Sequence, residues 1–270
     1  MSNEIYIAYW SGEEPTGPKQ SPTLDKTPDY IDIVPLFYVI LNSNGTLNFD
    51  RLVLHNSQAT IKGWMQVIRK RQQNQPKKTK FTLGILGDSF PTQNPATFAQ
   101  TVKQAVADWG VDGVTIDYEP PSGDKGILPV VKAIRTAIGS KAIMTAPIYS
   151  AWMGSAALLK SYGALFNYIE TMDYTPYPGK SATISDYEWY AKAIGTASSP
   201  AYNKIAIGVS CMEPPSNFTP LADVTALCKY EPKSAKKAGI MLYTLSYDVT
   251  SHGSGYPDGT FTKTVHNNLP

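Results

Sequence analysis

Eight short segments rich in apolar β-branched and aromatic residues recur along this chain, separated by longer stretches with helical spacing. Residues 94–110, for example, begin with Asn-Pro, repeat apolar side chains at helical intervals and end at Gly110. Alternation of strands and helices over about 250 residues predicts an α/β fold, a single (β/α)8 TIM barrel. The predicted strands are 5–10, 31–40, 81–87, 113–119, 142–148, 168–174, 204–210 and 239–245. The clearest predicted helices are 57–73, 94–110, 126–139 and 185–195.

A doubly wound open sheet is the alternative arrangement for such a chain. No GxGxxG or Walker sequence follows any predicted strand, so the sequence gives no sign of a nucleotide-binding sheet. No low-complexity linker and no internal repeat divides the 270 residues. We therefore expect one domain spanning residues 1–270, and we expect it to be a monomer.

Charge and hydropathy argue against several function classes. The net charge of +2 predicts no strong attraction to nucleic acid or to an anionic membrane, and the basic residues within 69–80 are expected to form a solvated helix end and loop. No apolar run approaches the roughly 20 residues of a membrane-spanning helix. The opening residues MSNEIYIAYW have neither the basic part nor the long apolar part of a leader peptide, so none is expected and the compartment stays open.

The histidines and cysteines give no sign of a metal site. Three histidines and two cysteines show no ligand spacing such as HExxH, so we expect no metal. Cys211 and Cys228 are too few for a disulfide framework. We expect both to be free thiols, with a single bridge between them as the alternative.

The segment WGVDGVTIDYEPP, residues 109–121, ends an apolar strand with two carboxyl groups. Because side chains alternate across a strand, Thr115, Asp117 and Glu119 point to one face, which in a barrel is the interior. The two prolines that follow cannot extend the hydrogen bonding of the sheet. We therefore expect Glu119 at the carboxyl-terminal mouth of the barrel, where barrel enzymes hold their catalytic groups.

Two carboxyl groups at this spacing suit general acid catalysis. Desolvation and the neighbouring negative charge both raise the pKa of one member, so that it keeps a proton. The alternative for an Asp-x-Glu at a strand end is structural, with the carboxylates bound to a backbone amide or a surface lysine. Spacing alone leaves both interpretations open.

This segment resembles the DGxDxDxE signature of the family-18 glycoside hydrolases, which include chitinases, endo-β-N-acetylglucosaminidases and inactive lectin-like relatives. Asp112, Gly113, Asp117 and Glu119 match, and Thr115 replaces the middle Asp. The sixth predicted strand, NYIETMDYT, is similar to the family's "DYINVMTYD", with Met172 and Tyr174 matching and Thr175 in place of Asp. On the eighth strand, Tyr243 stands where the family commonly has Trp.

The resemblance implies retaining hydrolysis of β-1,4-linked N-acetylglucosamine without a cofactor, in chitin or in the core of an N-glycan. Glu119 would be the general acid, Asp117 would hold the acetamide N–H, and Tyr174 would donate to the acetamide oxygen, which attacks as the nucleophile. Only residues 211–238 separate the last two strands, too few for an insertion domain, so we expect an open groove and endo-type cleavage. The residues expected to bind substrate are Thr115, Met172, Tyr243, Tyr9, Trp10, Tyr38, Tyr149 and Trp152.

The departures from the family pattern lead to one hypothesis and one rival function. Asp112 and Glu170 are assigned structural and pKa-tuning roles. Glu170 shares the face of Met172 and Tyr174, so we expect it to supply the buried carboxyl that position 115 lacks, whereas Asp173 should face the helices. The rival is a catalytically inactive lectin that binds the same sugars, which the changes at 115, 175 and 243 would favour.

Overall fold

Within the described residues, 4–17, 20–120, 126–149, 156–174, 177–212, 217–233, 235–252 and 255–270, the computed structural model has eight parallel strands that close into a barrel. Each strand lies inside, or within one residue of, a predicted segment. The barrel strands are β1 Ile5–Ala8, β2 Ile33–Leu41, β3 Lys80–Gly87, β4 Gly113–Tyr118, β5 Ile143–Ile148, β6 Tyr168–Thr171, β7 Ile205–Ser210 and β8 Gly239–Tyr243.

Sequential strands are neighbours throughout the barrel, as right-handed β-α-β crossovers require. The barrel closes where β1 pairs with β8, starting at Ile5 opposite Gly239, and with β2 at Ile7 opposite Ile33. The (β/α)8 barrel is therefore confirmed, and the open-sheet alternative is wrong. Two short strands, Trp10–Ser11 and Leu47–Asn48, extend the sheet beside β2.

Seven helices in the described part of the chain cover the barrel. The first β-α connection differs from the expected alternation, because the helical structure among its described residues is limited to the short 3-10 turn Leu24–Lys26. Pro15, Pro22 and Pro28 occur in this connection, and each lacks the N–H that a helix interior needs. The helices are α1 Gln58–Arg71, α2 Pro95–Trp109, α3 Leu128–Ile138, α4 Ala156–Leu165, α5 Lys180–Ile194, α6 Leu221–Lys229 and α7 Thr260–Asn268.

The boundaries of α1 and α2 follow local capping signals. The Ser57 hydroxyl accepts a hydrogen bond from the Thr60 N–H at the start of α1. The helix α2 begins with its proline and ends at Gly110, which adopts a left-handed conformation with φ of 64°. The start and end predicted for α2 are therefore confirmed.

Side-chain alternation divides the apolar residues into two cores. The larger core lies between the strands and the helices; α1, for example, buries Ile61, Met65 and Ile68 there, each stabilising the fold by about 1.5–3 kcal/mol. The smaller core fills the barrel and ends beneath its carboxyl-terminal mouth. Its buried members are Ile7, Tyr9, Ile33, Phe37, Met172, Tyr174, Ala206 and Met241.

The start of β4 requires a glycine. A Cβ added at Gly113 would lie 1.8 Å from the Ile143 carbonyl oxygen of β5. We therefore expect Gly113→Ala to lower the free energy of unfolding by about 3 kcal/mol or more in urea titrations, because the two backbones would have to separate. The control is Gly63→Ala in α1, where an added Cβ has open space and should stabilise by about 0.5–1 kcal/mol. A neutral Gly113→Ala variant would contradict the β4–β5 packing.

Two further predictions concern thiols and membranes. Cys211 and Cys228 are both buried and free, which confirms the expectation of unpaired thiols. Among the described residues, none of the helices combines the length and apolar character needed to cross a bilayer.

Candidate active site

A cavity of about 250 Å³ opens at the carboxyl-terminal ends of the barrel strands. Asp117 and Glu119 lie in its wall, together with aromatic, amide and apolar side chains from other strand ends. Convergence of several strand ends on one cavity is the usual construction of an active site in this fold. The lining residues are Tyr9, Phe37, Asp117, Glu119, Pro147, Tyr149, Met172, Tyr174, Met212, Asn217 and Tyr243.

The two carboxyl groups of β4 form a hydrogen-bonded pair. Asp117 is only 3% exposed, and Glu119, just past the strand end, is half-buried. The backbone N–H of Glu119 still donates to the Gly87 carbonyl of β3 at 3.0 Å, which fixes the direction of its side chain. The side chains of Asp117 and Glu119 are hydrogen-bonded to each other. One of the two must therefore carry a proton, since two carboxylates cannot share a hydrogen bond.

Burial and charge determine which member holds that proton. Burial, followed by the negative charges of Glu119 and Glu170, raises the pKa of Asp117 well above its usual range. Burial also raises the pKa of Glu119, but the hydrogen bond with Asp117 lowers it. In the free protein Asp117 therefore donates to Glu119, and the pair keeps one proton at pH values where an isolated carboxyl would have lost it.

Thr115 lies below Asp117 in the barrel and does not line the cavity. Its side chain is fully buried, and its hydroxyl oxygen lies 2.7 Å from that of Thr82 and 2.8 Å from that of Thr145. The prediction that Thr115 binds substrate is therefore wrong, because its hydroxyl is held by threonines of β3 and β5. Asp117 Oδ1 has no hydrogen-bond partner among the described residues.

Glu170 of β6 is fully buried inside the barrel, as strand alternation predicts. The Tyr9 hydroxyl donates to its Oε2 atom at 2.5 Å. Burial raises the pKa of Glu170 to about 7, although the hydroxyls of Thr145 and Tyr9 oppose this by stabilising the charged form.

Aromatic rings form most of the remaining wall. Tyr243 lies parallel to Tyr174 with ring centroids 6.0 Å apart, and it meets the edges of Tyr9 and Phe37 at 5.7 and 5.9 Å. Apolar faces with phenolic hydroxyls at their edges suit a sugar ring, which has axial C–H faces and equatorial hydroxyls. Tyr149 and Met172, which are expected to bind substrate, also line the cavity.

Two predicted sugar-binding aromatics are not among the residues that line this cavity, and a third is outside the described residues. Trp10 follows the outward parity of β1, is fully buried, and donates from Nε1 to the Pro22 carbonyl at 3.0 Å, so its predicted place in the groove is wrong. Tyr38 is outside the cavity wall, because Phe37 occupies the inward position before a register shift in β2. Trp152 and Thr175 lie outside the described residues.

Two other acids have structural contacts. Asp112, at the amino end of β4, accepts from the Phe81 N–H at 3.0 Å and contacts Arg69 and Lys80, at the opposite end of the strand from Glu119. These contacts support its structural role and give it no part in the cavity. Asp173 faces the helices, as predicted, and accepts from the Tyr190 hydroxyl at 3.2 Å; burial raises its pKa to about 7.

Four residues that line the cavity were not predicted from the sequence. Phe37 and Pro147 lie on the inward face of β2 and β5, so strand parity could have identified them. Met212 and Asn217 follow β7 in a loop, where no periodicity applies. The Asn217 Oδ1 atom is buried without a hydrogen-bond partner among the described residues. It is therefore a candidate acceptor for a hydrogen bond from a bound molecule. The described residues contain no cluster of side chains that could hold a metal ion.

Comparison with known proteins places this barrel among glycoside hydrolase structures. No family model matches the chain, and no curated protein matches its sequence. The structure is similar to a family GH18 chitinase from Chromobacterium violaceum, with 18% identity and a TM-score of 0.70 over 99% of this chain and 84% of that one. It is also similar to the Ostrinia furnacalis group IV chitinase in complex with allosamidin, with 12% identity and a TM-score of 0.73 over 98% of both chains.

A fungal endo-β-N-acetylglucosaminidase from glycosyl hydrolase family 18 matches equally well, with 16% identity and a TM-score of 0.72 over 98% of this chain and 99% of that one. At such low identities these similarities establish the fold alone. The structural neighbours are nevertheless of the family that the β4 motif resembles.

Proposed function

We propose that this protein is a retaining, endo-acting glycoside hydrolase of the family-18 type that cleaves β-1,4-linked N-acetylglucosamine, with the acetamide of its own substrate as the nucleophile. The supporting observation is the direct hydrogen bond between Asp117 and Glu119 on one wall of the cavity.

That contact argues against the usual two-carboxylate mechanisms. Retaining enzymes hold an acid and a nucleophile about 5–5.5 Å apart, and inverting enzymes separate their carboxyls by about 6.5–9.5 Å to admit water. Asp117 and Glu119 are too close for a sugar to lie between them. Glu170 is fully buried and Asp173 faces the helices, so neither can attack the sugar. A nucleophile supplied by the substrate, such as an acetamide oxygen, satisfies this geometry.

The shared proton gives each carboxyl a role. When an acetamide N–H binds Asp117, the new hydrogen bond favours the ionised form of that carboxyl, and the proton of the pair moves to Glu119. Protonated Glu119 then donates to the glycosidic oxygen, and ionised Asp117 stabilises the positive charge that develops on the acetamide. After the leaving group departs, Glu119 is the base that activates water.

Tyr174, at the end of β6, supports the same step from another part of the cavity wall. Its ring is buried against Tyr243, and burial raises its pKa well above the usual range, so the phenol keeps its proton. A neutral phenol can donate a hydrogen bond to the acetamide oxygen and aim it at the anomeric carbon. Chitin and the chitobiose core of N-glycans both carry the required group.

The mechanism predicts strict dependence on the acetamide. We expect the protein to release fluorophore from a 4-methylumbelliferyl chitobioside at least about 10³-fold faster than from the matched cellobioside, because the loss of a positioned nucleophile removes the effective molarity of an intramolecular reaction. Proton NMR of the first product should show the β-anomer. Efficient hydrolysis of the cellobioside, or an α-anomeric product, would contradict the proposal.

One observation favours a lectin as the second candidate. Asp117 lacks a hydrogen bond to the side chain at 115, because the Thr115 hydroxyl is held by Thr82 and Thr145. If this weakens control of the proton, the cavity could bind N-acetylglucosamine without cleaving it. Calorimetric binding of chitotriose with no turnover over days would support the lectin. Comparing the binding or cleavage of chitin with that of a high-mannose glycoprotein would then identify which of the two carbohydrates the protein recognises.

A further inference from the structure

We propose that Glu170 is a positioning residue for the Asp117–Glu119 pair: its buried carboxylate, anchored by Tyr9, supplies from β6 the negative charge that position 115 of β4 lacks, and so retains the proton of the pair on Asp117 until substrate binds. This inference rests on the proposed function and names a residue that acts through another.

The neighbourhood of Asp117 explains why such a group is needed. Asp117 must hold a proton in the free protein and release it when an acetamide binds. Thr115, the inward residue two positions earlier, carries no charge, and its hydroxyl contacts two other threonines. Asp117 Oδ1 has no hydrogen-bond partner among the described residues, so beyond the hydrogen bond with Glu119 the control of the Asp117 proton falls to burial and to nearby charges.

Glu170 has the geometry of a fixed charge. Its side chain is fully buried between β5 and β7, paired across the sheet with Pro147 and Ala206. The Tyr9 hydroxyl holds Oε2 at 2.5 Å, and the body of Tyr9 continues upward into the cavity wall beside Asp117. A charge held in this way costs little reorganisation during catalysis.

The groups that face Glu170 carry negative charge or none. Tyr9 approaches from β1, Asp117 from β4, and Tyr174 from the end of β6, and each of these three has its pKa raised in part by the charge of Glu170. Thr145 approaches from β5 and Met241 packs in the same core. Among the described residues, lysine and arginine are absent from the groups that shift the pKa of Glu170. Its charge is therefore felt by Asp117 without neutralisation.

The test compares Glu170→Gln with Asp173→Asn. Each variant removes one buried carboxyl group with a pKa of about 7. Glu170 lies in β6 and points into the barrel, whereas Asp173 follows the end of β6 and faces the helices. We would record the NMR chemical shift of the Asp117 side-chain carboxyl ¹³C across a pH titration and take its midpoint as the Asp117 midpoint. The Asp117 signal is assigned as the one that disappears in Asp117→Asn. In Glu170→Gln the Asp117 midpoint should fall by about one pH unit, because a like charge has been removed; in Asp173→Asn it should not move.

An unchanged Asp117 midpoint in Glu170→Gln would overturn the inference. If that variant does not fold, Tyr9→Phe is the second test: losing the hydroxyl raises the pKa of Glu170, so less of it is charged near neutral pH and the Asp117 midpoint should again fall. An Asp117 midpoint that stays in place in folded Tyr9→Phe also overturns the inference.

A kinetic readout tests the positioning role itself. In Glu170→Gln the alkaline limb of kcat/KM should move to lower pH, since the pair loses its proton sooner, while KM changes little because Glu170 does not reach the cavity. If neither wild type nor any variant cleaves the chitobioside, the proposed function fails, yet the NMR titration still decides whether Glu170 controls Asp117.

Discussion

Glu119→Gln should lower turnover of a fluorogenic chitobioside by about 10³-fold, within the range that a positioned general acid contributes. The carboxamide has nearly the same shape as the carboxyl but cannot give a proton to the glycosidic oxygen. KM should change little, because nine of the eleven residues that line the cavity are neither Asp117 nor Glu119, and five of those nine are aromatic. Steady-state kinetics of the wild type and the variant, at the pH optimum of the wild type, measure this effect.

Binding must be followed in parallel to interpret that result. Glu119→Gln should keep its melting temperature and should still bind chitotriose or allosamidin in calorimetry. An active Glu119→Gln variant would place the acid elsewhere and contradict the site. Equal binding with no turnover in either protein would instead support a lectin.

Asp117→Asn should lower kcat by about 10²- to 10³-fold, because a neutral carboxamide cannot stabilise the positive charge that develops on the acetamide. It should also change the pH profile. An asparagine at 117 donates to Glu119 permanently and presents no negative charge, which lowers the pKa of Glu119. Glu119 then loses its proton at lower pH, so the alkaline limb of the kcat profile should shift downward.

Asp112→Asn is the matched control for that variant. It makes the same chemical change on the same strand, but at the amino end, where Asp112 contacts Arg69, Lys80 and the Phe81 N–H. It should cost stability in denaturant titrations and leave kcat unchanged. A comparable kcat loss in Asp112→Asn would mean that the Asp117→Asn effect reports damage to β4 rather than lost chemistry.

Strand parity explains both the successes and the failures of the sequence analysis. It correctly placed Asp117, Glu119, Glu170 and Tyr174 inside the barrel, because side chains two positions apart share a face whatever the neighbouring strands are. The same rule excludes Trp10 from the cavity, because adjacent side chains point to opposite faces and Tyr9 already points inward. Predicting both residues in the groove was therefore inconsistent with strand alternation.

Errors of a different kind came from irregular backbone. The register shift in β2 decides that Phe37 rather than Tyr38 enters the cavity. Such a shift arises from pairing with β3, and local periodicity carries no sign of it. Asn217 lies in a loop, so only its position in space connects it with the site.

The sequence by itself determined the alternation of strands and helices, the inward face of β4 and the place of Glu119 at a strand end, because each follows from backbone geometry within a few residues. Only the tertiary structure decided which inward groups meet. Tyr9 and Glu170 are 161 positions apart in sequence yet hydrogen-bonded, and Thr115 contacts threonines of two other strands rather than Asp117. Those contacts depend on the register of strands distant in the chain, which barrel closure sets.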